Sequence, residues 1–97
     1  MEKRSHKYRL QLDYLTANNG EKQQTDPVQI EFENHDNILA IIEILKEKDP
    51  FENKDQAVEF AIGLKMFSEI MIKNRNNPLF EELMPTFGVF MKKLKSL

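Results

Sequence analysis

The sequence predicts an α+β fold, an N-terminal antiparallel β-hairpin followed by three to four α-helices packed on one sheet face. Three observations predict it. Apolar and polar residues alternate from His6 to Leu15 and again over Val28 to Glu33; an Asn18-Asn19-Gly20 turn lies between the two runs; and from Ile38 onward the apolar spacing changes to the helical period. A chain of 97 residues has room for one core, hiding roughly two-thirds of its unfolded surface. The expectation is one domain over 1–97. Hydrophobic residues at 40% and charged residues at 31% place it in the globular range and outside the regime of disorder.

In the first strand Tyr8, Leu10, Leu12 and Tyr14 share one face, with Lys7, Arg9, Gln11 and Asp13 on the other. In the second, Val28, Ile30 and Phe32 oppose Gln29, Glu31 and Glu33. Matching the apolar faces requires a three-residue loop, 18–20, because a two-residue turn would flip one strand. The loop sets Ala17 opposite Glu21, Leu10 opposite Val28 and Tyr8 opposite Ile30, with Gly20 in the left-handed region. Pro27 has no ladder donor, which makes its side of the second strand an edge or a bulge.

Asn34-His35-Asp36-Asn37 supplies capping residues ahead of Ile38, Ile41, Ile42 and Leu45, predicting a helix over about 36–47 that Asp49-Pro50 stops. The next helix opens at Asn53 or Asp55, where Asn53 and Gln56 have capping-box spacing. It carries Ala57, Phe60, Ala61, Leu64, Phe67, Ser68 and Met71 on one stripe and ends at the asparagine-rich run before Pro78. Asn77-Pro78 then opens a short helix through Leu79, Phe80 and Leu83, which Pro85 breaks or kinks. A last helix over about 86–95 places Phe87, Phe90, Met91 and Leu94 on one face, with Gly88 permitting a close approach by another backbone.

The long helix is apolar on two sides. Val58, Ile62, Met66 and Ile70 form a second row, interrupted by Glu59, Lys65, Glu69 and Lys73. A helix of this kind is covered by a second layer of its own domain or by another chain. Four such side chains left in water would forgo about 1.5–3 kcal/mol each, comparable in total with the net stability of a domain. The expected covers are the C-terminal helices or a symmetry mate in a homodimer. Val58, Ile62, Met66 and Ile70 are therefore the candidate interaction surface.

Sequence features exclude several kinds of chemistry. Without cysteine there are no disulfides, thiolates, zinc fingers or iron–sulfur ligands, which fits a reducing cytoplasm. The charged start MEKRSHKYRL offers no apolar stretch for a signal peptide or membrane span. No glycine-rich phosphate loop, HExxH, GxSxG or calcium-loop spacing occurs. No cofactor, metal site or catalytic residue is predicted.

His35-Asp36 is the one pair resembling a base with an orienting carboxylate, and a small ligand-binding protein or enzyme with a pocket near His35 is the alternative function. Residues adjacent in sequence point apart, however, and the position calls for caps. Glu31 with Glu33, and Glu81 with Glu82, read as solvated or dipole-favoured carboxylates. Met66, Met71, Met84 and Met91, with Phe67, Phe80, Phe87 and Phe90, read as core rather than as a ligand groove.

A second alternative is weak nucleic-acid binding through the terminal basic residues Lys3, Arg4, Lys7 and Arg9 or Lys92, Lys93 and Lys95. The formal net charge of −2 disfavours it, and Tyr8 and Tyr14 belong to the apolar stripe rather than to a stacking surface.

His6-x-Tyr8-Arg9-Leu10, FENHDNI from Phe32 to Ile38, and FAIGLKMFSEIMIKNRNNPLFEEL from Phe60 to Leu83 with FGVFMKKLK after it resemble a small bacterial family of uncharacterised domains, domain of unknown function 3861. The likeness covers about 6–95. It implies a stand-alone bacterial cytoplasmic domain and brings no catalytic or binding residues with it. The function expected from the residues is a non-catalytic protein-interaction module, with a homodimer as one form of it.

Overall fold

The computed structural model describes residues 4–97. The elements are β1 (His6–Leu12), β2 (Val28–Asn34), α1 (Ile38–Lys48), α2 (Lys54–Lys73), a 3-10 turn (Pro78–Phe80) and α3 (Leu83–Lys95). An antiparallel two-stranded hairpin thus precedes three α-helices, as expected for the α+β class. The chain divides into two compact units, one ending at His35 and one comprising Asp36–Leu97.

In the first unit the turn is the predicted three-residue loop. Gly20 sits at φ 90°, its N–H donates to the Ala17 carbonyl at 2.9 Å, and the Ala17 N–H donates to the Glu21 carbonyl at 2.8 Å. The Asn19 side chain accepts from the Glu21 N–H at 3.0 Å. Thr16 pairs with Lys22 next to the turn. Further out the register differs from expectation: Leu10 lies opposite Ile30 rather than Val28, and Tyr8 opposite Phe32 rather than Ile30.

The cause lies between the two paired stretches. Three residues, 13–15, face five, 23–27, so the second strand absorbs two extra residues around Pro27. Two is the side-chain period, and the slip therefore leaves both strand faces intact. Across the polar face Arg9 pairs with Glu31 at 2.8 Å and Lys7 lies 3.9 Å from Glu33. The Gln29 side-chain amide donates to Gln11 Oε1.

In the second unit α1, α2 and the 3-10 turn each begin at a capping asparagine. The Asn37 side chain accepts from the Ala40 N–H at 3.2 Å, Asn53 from Gln56 at 3.1 Å and Asn77 from Leu79 at 3.0 Å. α1 ends where Asp49 enters the left-handed region at φ 49° and donates its N–H to the Leu45 carbonyl at 2.9 Å. α1 packs along α2; Ile38, Ile42 and Leu45 are buried on α1, and Ala57, Ala61, Ser68, Glu69 and Met71 on α2. Lys65 Nζ reaches Asp36 at 3.0 Å, and Lys54 Nζ donates to the Lys46 carbonyl at 2.7 Å.

Two expectations for the C-terminal part are corrected. The short helix is a single 3-10 turn, and α3 starts at Leu83, not 86, with Pro85 inside its first turn. A proline there loses no helical hydrogen bond, because the first-turn N–H groups have no partner within the helix. Among the described residues none closes on Gly88, since a Cβ built there would meet nothing within 4 Å.

Two substitutions check this account by urea unfolding. Asn37→Ala is expected to lower stability by about 1 kcal/mol through the lost cap. Gly88→Ala is expected to raise it by roughly 0.5–1 kcal/mol, as removal of a mid-helix glycine with open space around it should.

Candidate interaction surface

Packing against α1 fixes how α2 presents its remaining sides. With residues about 100° apart around the axis, Ala57, Ala61 and Ser68 facing α1 place Phe60 and Phe67 on an adjacent flank, with Gly63 and Ile70 beyond them. Of the four residues expected to form the second apolar row, Val58, Ile62 and Met66 are half-buried and Ile70 is 53% exposed. The row is thus partly shielded along its first three members and open at its last.

A chain of phenylalanine rings runs along the flank next to Ile70. Phe51 meets Phe60 at 5.2 Å, Phe60 meets Phe90 at 6.3 Å, and Phe90 meets Phe87 at 6.1 Å. Phe87 then meets Phe67 at 6.3 Å, and Phe67 meets Phe80 at 6.1 Å. All five pairs are edge-on or tilted, which suits the ring quadrupole and adds about 0.5–1.5 kcal/mol per pair beyond area burial.

The ladder joins α2 to α3 by ring edges and leaves much of its own surface open. Phe80 is buried, but Phe67 is 45% and Phe90 41% exposed. α3 buries none of its residues. Its apolar face of Leu83, Met84, Phe87, Phe90, Met91 and Leu94 is covered only in part. A groove of about 550 Å³ opens beside the ladder, lined by Phe51, Gln56, Glu59, Phe60, Gly63 and Leu64. Another of about 360 Å³ is lined by Arg75, Asn76, Asn77, Pro78, Glu81 and Met84.

His35 and His6 are exposed, and His6 lies with its ring 6.4 Å from that of Tyr8. Among the described residues no three His, Cys, Asp or Glu side chains come together in a set able to hold a metal ion. On the hairpin a groove of about 470 Å³ is lined by Lys7, Tyr8, Arg9, Glu31, Phe32 and Glu33, where each cation faces a carboxylate. That pairing works against a phosphate backbone. Tyr8 stacks on Phe32 at 5.5 Å and is half-buried. Lys92, Lys93 and Lys95 are exposed along the last turn of α3.

The sequence reading missed the exposure of the α2–α3 seam, having assigned Phe67, Phe87 and Phe90 to the core. Glu69, in which the sequence shows only an interruption of the second apolar row, is buried. Periodicity gives no signal for either.

The DUF3861 family, described as a domain of unknown function with solved structure, matches residues 6–96. A crystal structure of a protein of unknown function from Pectobacterium atrosepticum is similar to this chain, with 26% identity and a TM-score of 0.82. The likeness covers 97% of this chain and 100% of that one. No curated protein matches it. Among the described residues no helix is long and apolar enough to cross a membrane.

A double-mutant cycle tests whether the ladder binds α3 to α2. Phe60→Leu combined with Phe90→Leu is expected to show a coupling of about 0.5–1.5 kcal/mol in chemical unfolding. A coupling indistinguishable from zero would mean that the rings merely lie near each other.

Proposed function

We propose that this chain, which belongs to the DUF3861 family, is a non-catalytic protein-interaction module that presents the apolar seam between α2 and α3 to a protein partner. One observation carries the reading: α3, a 13-residue amphipathic helix, has no buried residue. An apolar side chain of this size gains about 1.5–3 kcal/mol on full burial, so a stripe of partly covered ones holds several kcal/mol that a partner would release. Among the four residues expected to meet a partner, Ile70 is the one whose exposure supports that role, and it continues the open edge of Phe67. Val58, Ile62 and Met66 are half-buried and turn away from Phe60 and Phe67 around the helix, so they stand outside the proposed surface. A bacterial cytoplasmic setting is part of the same proposal, supported by the family resemblance and by a sequence free of cysteine.

The test separates surface from core. Ile70→Lys, at an exposed site, is expected to change unfolding free energy by less than about 0.5 kcal/mol. It should nevertheless remove the protein companions recovered with the endogenously tagged chain. Recovery of the same companions with wild type and variant would reject the seam as the interaction surface.

A further inference from the structure

We infer that the partner is a second copy of this chain, with the two α3 helices lying antiparallel along the seam that each forms with its own α2. The inference rests on the interaction reading above and names its partner. Three observations carry it.

The first is spacing. Leu83, Phe87, Phe90 and Leu94 recur at intervals of four, three and four, the rhythm of a helix seam, on a helix with no buried residue. Reversing the helix about the point between Gly88 and Val89 maps this stripe onto itself. Leu83 then meets Leu94 of the other copy, and Phe87 meets its Phe90, as a self-complementary contact requires.

The second is the order of charge. Glu81 and Glu82 stand exposed ahead of α3, and Lys92, Lys93 and Lys95 stand exposed on its last turn. Antiparallel helices bring each acidic end beside the other copy's basic end, with Glu82 near Lys93 and Glu81 near Lys95. Parallel helices would oppose like charges at both ends. The orientation is therefore selected by the charges that flank the apolar stripe.

The third is area. At about 200 Å² for a whole large side chain, the open parts of Phe67, Ile70, Leu83, Phe87, Phe90 and Leu94 amount to roughly 400 Å² per copy. One side of a standard interface is about 800 Å², somewhat over half of it apolar, which asks for roughly 450 Å². The lysine stems beside the stripe add apolar cover of their own.

The experiment is charge reversal read by sedimentation equilibrium at low salt, with circular dichroism to check folding. Wild type is expected at twice the chain mass. Glu81→Lys with Glu82→Lys, and separately Lys93→Glu with Lys95→Glu, should each dissociate at least tenfold more readily. An equimolar mixture of the two variants should return to the dimer, because both ends of the mixed pair are again complementary. A wild-type mass of one chain, or a dimer indifferent to both reversals, overturns the inference. If the wild type is monomeric while Ile70→Lys still loses a protein companion, self-pairing fails and the interaction reading stands; if neither association occurs, both fail.

Discussion

The helical unit depends on how closely α1 can lie against α2, and that closeness is set by Ala57 and Ala61. Both are fully buried, and at about 100° per residue they stand beside Lys54 and Lys65, whose ties to Lys46 and Asp36 mark the side of α2 that α1 covers. Residues with a single methyl group keep the helix surface low at these two points, one turn apart, so larger side chains from α1 such as Ile42 and Leu45 can seat. Polar ties then hold the pair in register. Lys65 with Asp36 acts near the start of α1, and Lys54 with the Lys46 carbonyl acts near its end. With that face committed, the geometry of a helix leaves no freedom over what its other sides display. Phe60 and Phe67 must stand on the next flank, and Gly63 and Ile70 on the one after it.

α3 is attached more lightly. Its link to α2 runs through ring edges, its entry is organised by the Asn77 cap and the 3-10 turn, and near its exit the Leu97 carbonyl accepts from Lys48 Nζ. Edge-on ring contacts are worth about a third to a half of what full burial of the same side chains brings. A helix held this way stays amphipathic without becoming core. The α2–α3 seam is thus a direct consequence of the alanine face, which directs α1 and the aromatic residues to different sides of α2.

Local features were legible in the sequence because each is decided by a few neighbouring residues. The Gly20 turn, the three asparagine caps and the stop of α1 at Asp49-Pro50 follow from backbone chemistry at one or two positions. The strand register was not legible beyond the turn. Any even slip preserves the alternation of Tyr8, Leu10, Val28 and Ile30, so only the bulge around Pro27 could select among them. Pro85 misled for a related reason: proline marks a first turn as readily as a break, and the choice depends on where the helix starts. For the surface, the pattern of Val58, Ile62, Met66 and Ile70 identified an extra apolar side on α2. It could not say that exposure would concentrate at Ile70 and continue into Phe67 and Phe90, because periodicity records the width of a stripe and not what lies over it.

Charge order carries information that hydrophobic spacing lacks. Acidic residues ahead of α3 and lysines at its end suit the dipole of a single helix, each worth about 0.3–1 kcal/mol. The same arrangement, turned head to tail, makes each end of the helix complementary to the opposite end of a copy. No residue has to choose between the two roles, since exposed charges that favour the isolated helix gain a second favourable neighbour on pairing and lose none. An uncharged stripe with the same Leu83, Phe87, Phe90 and Leu94 spacing would accept either orientation and many partners. In the proposed dimer the flanking charges would narrow the choice by penalising the parallel pair at both ends, with residues that already suit the dipole of the single helix.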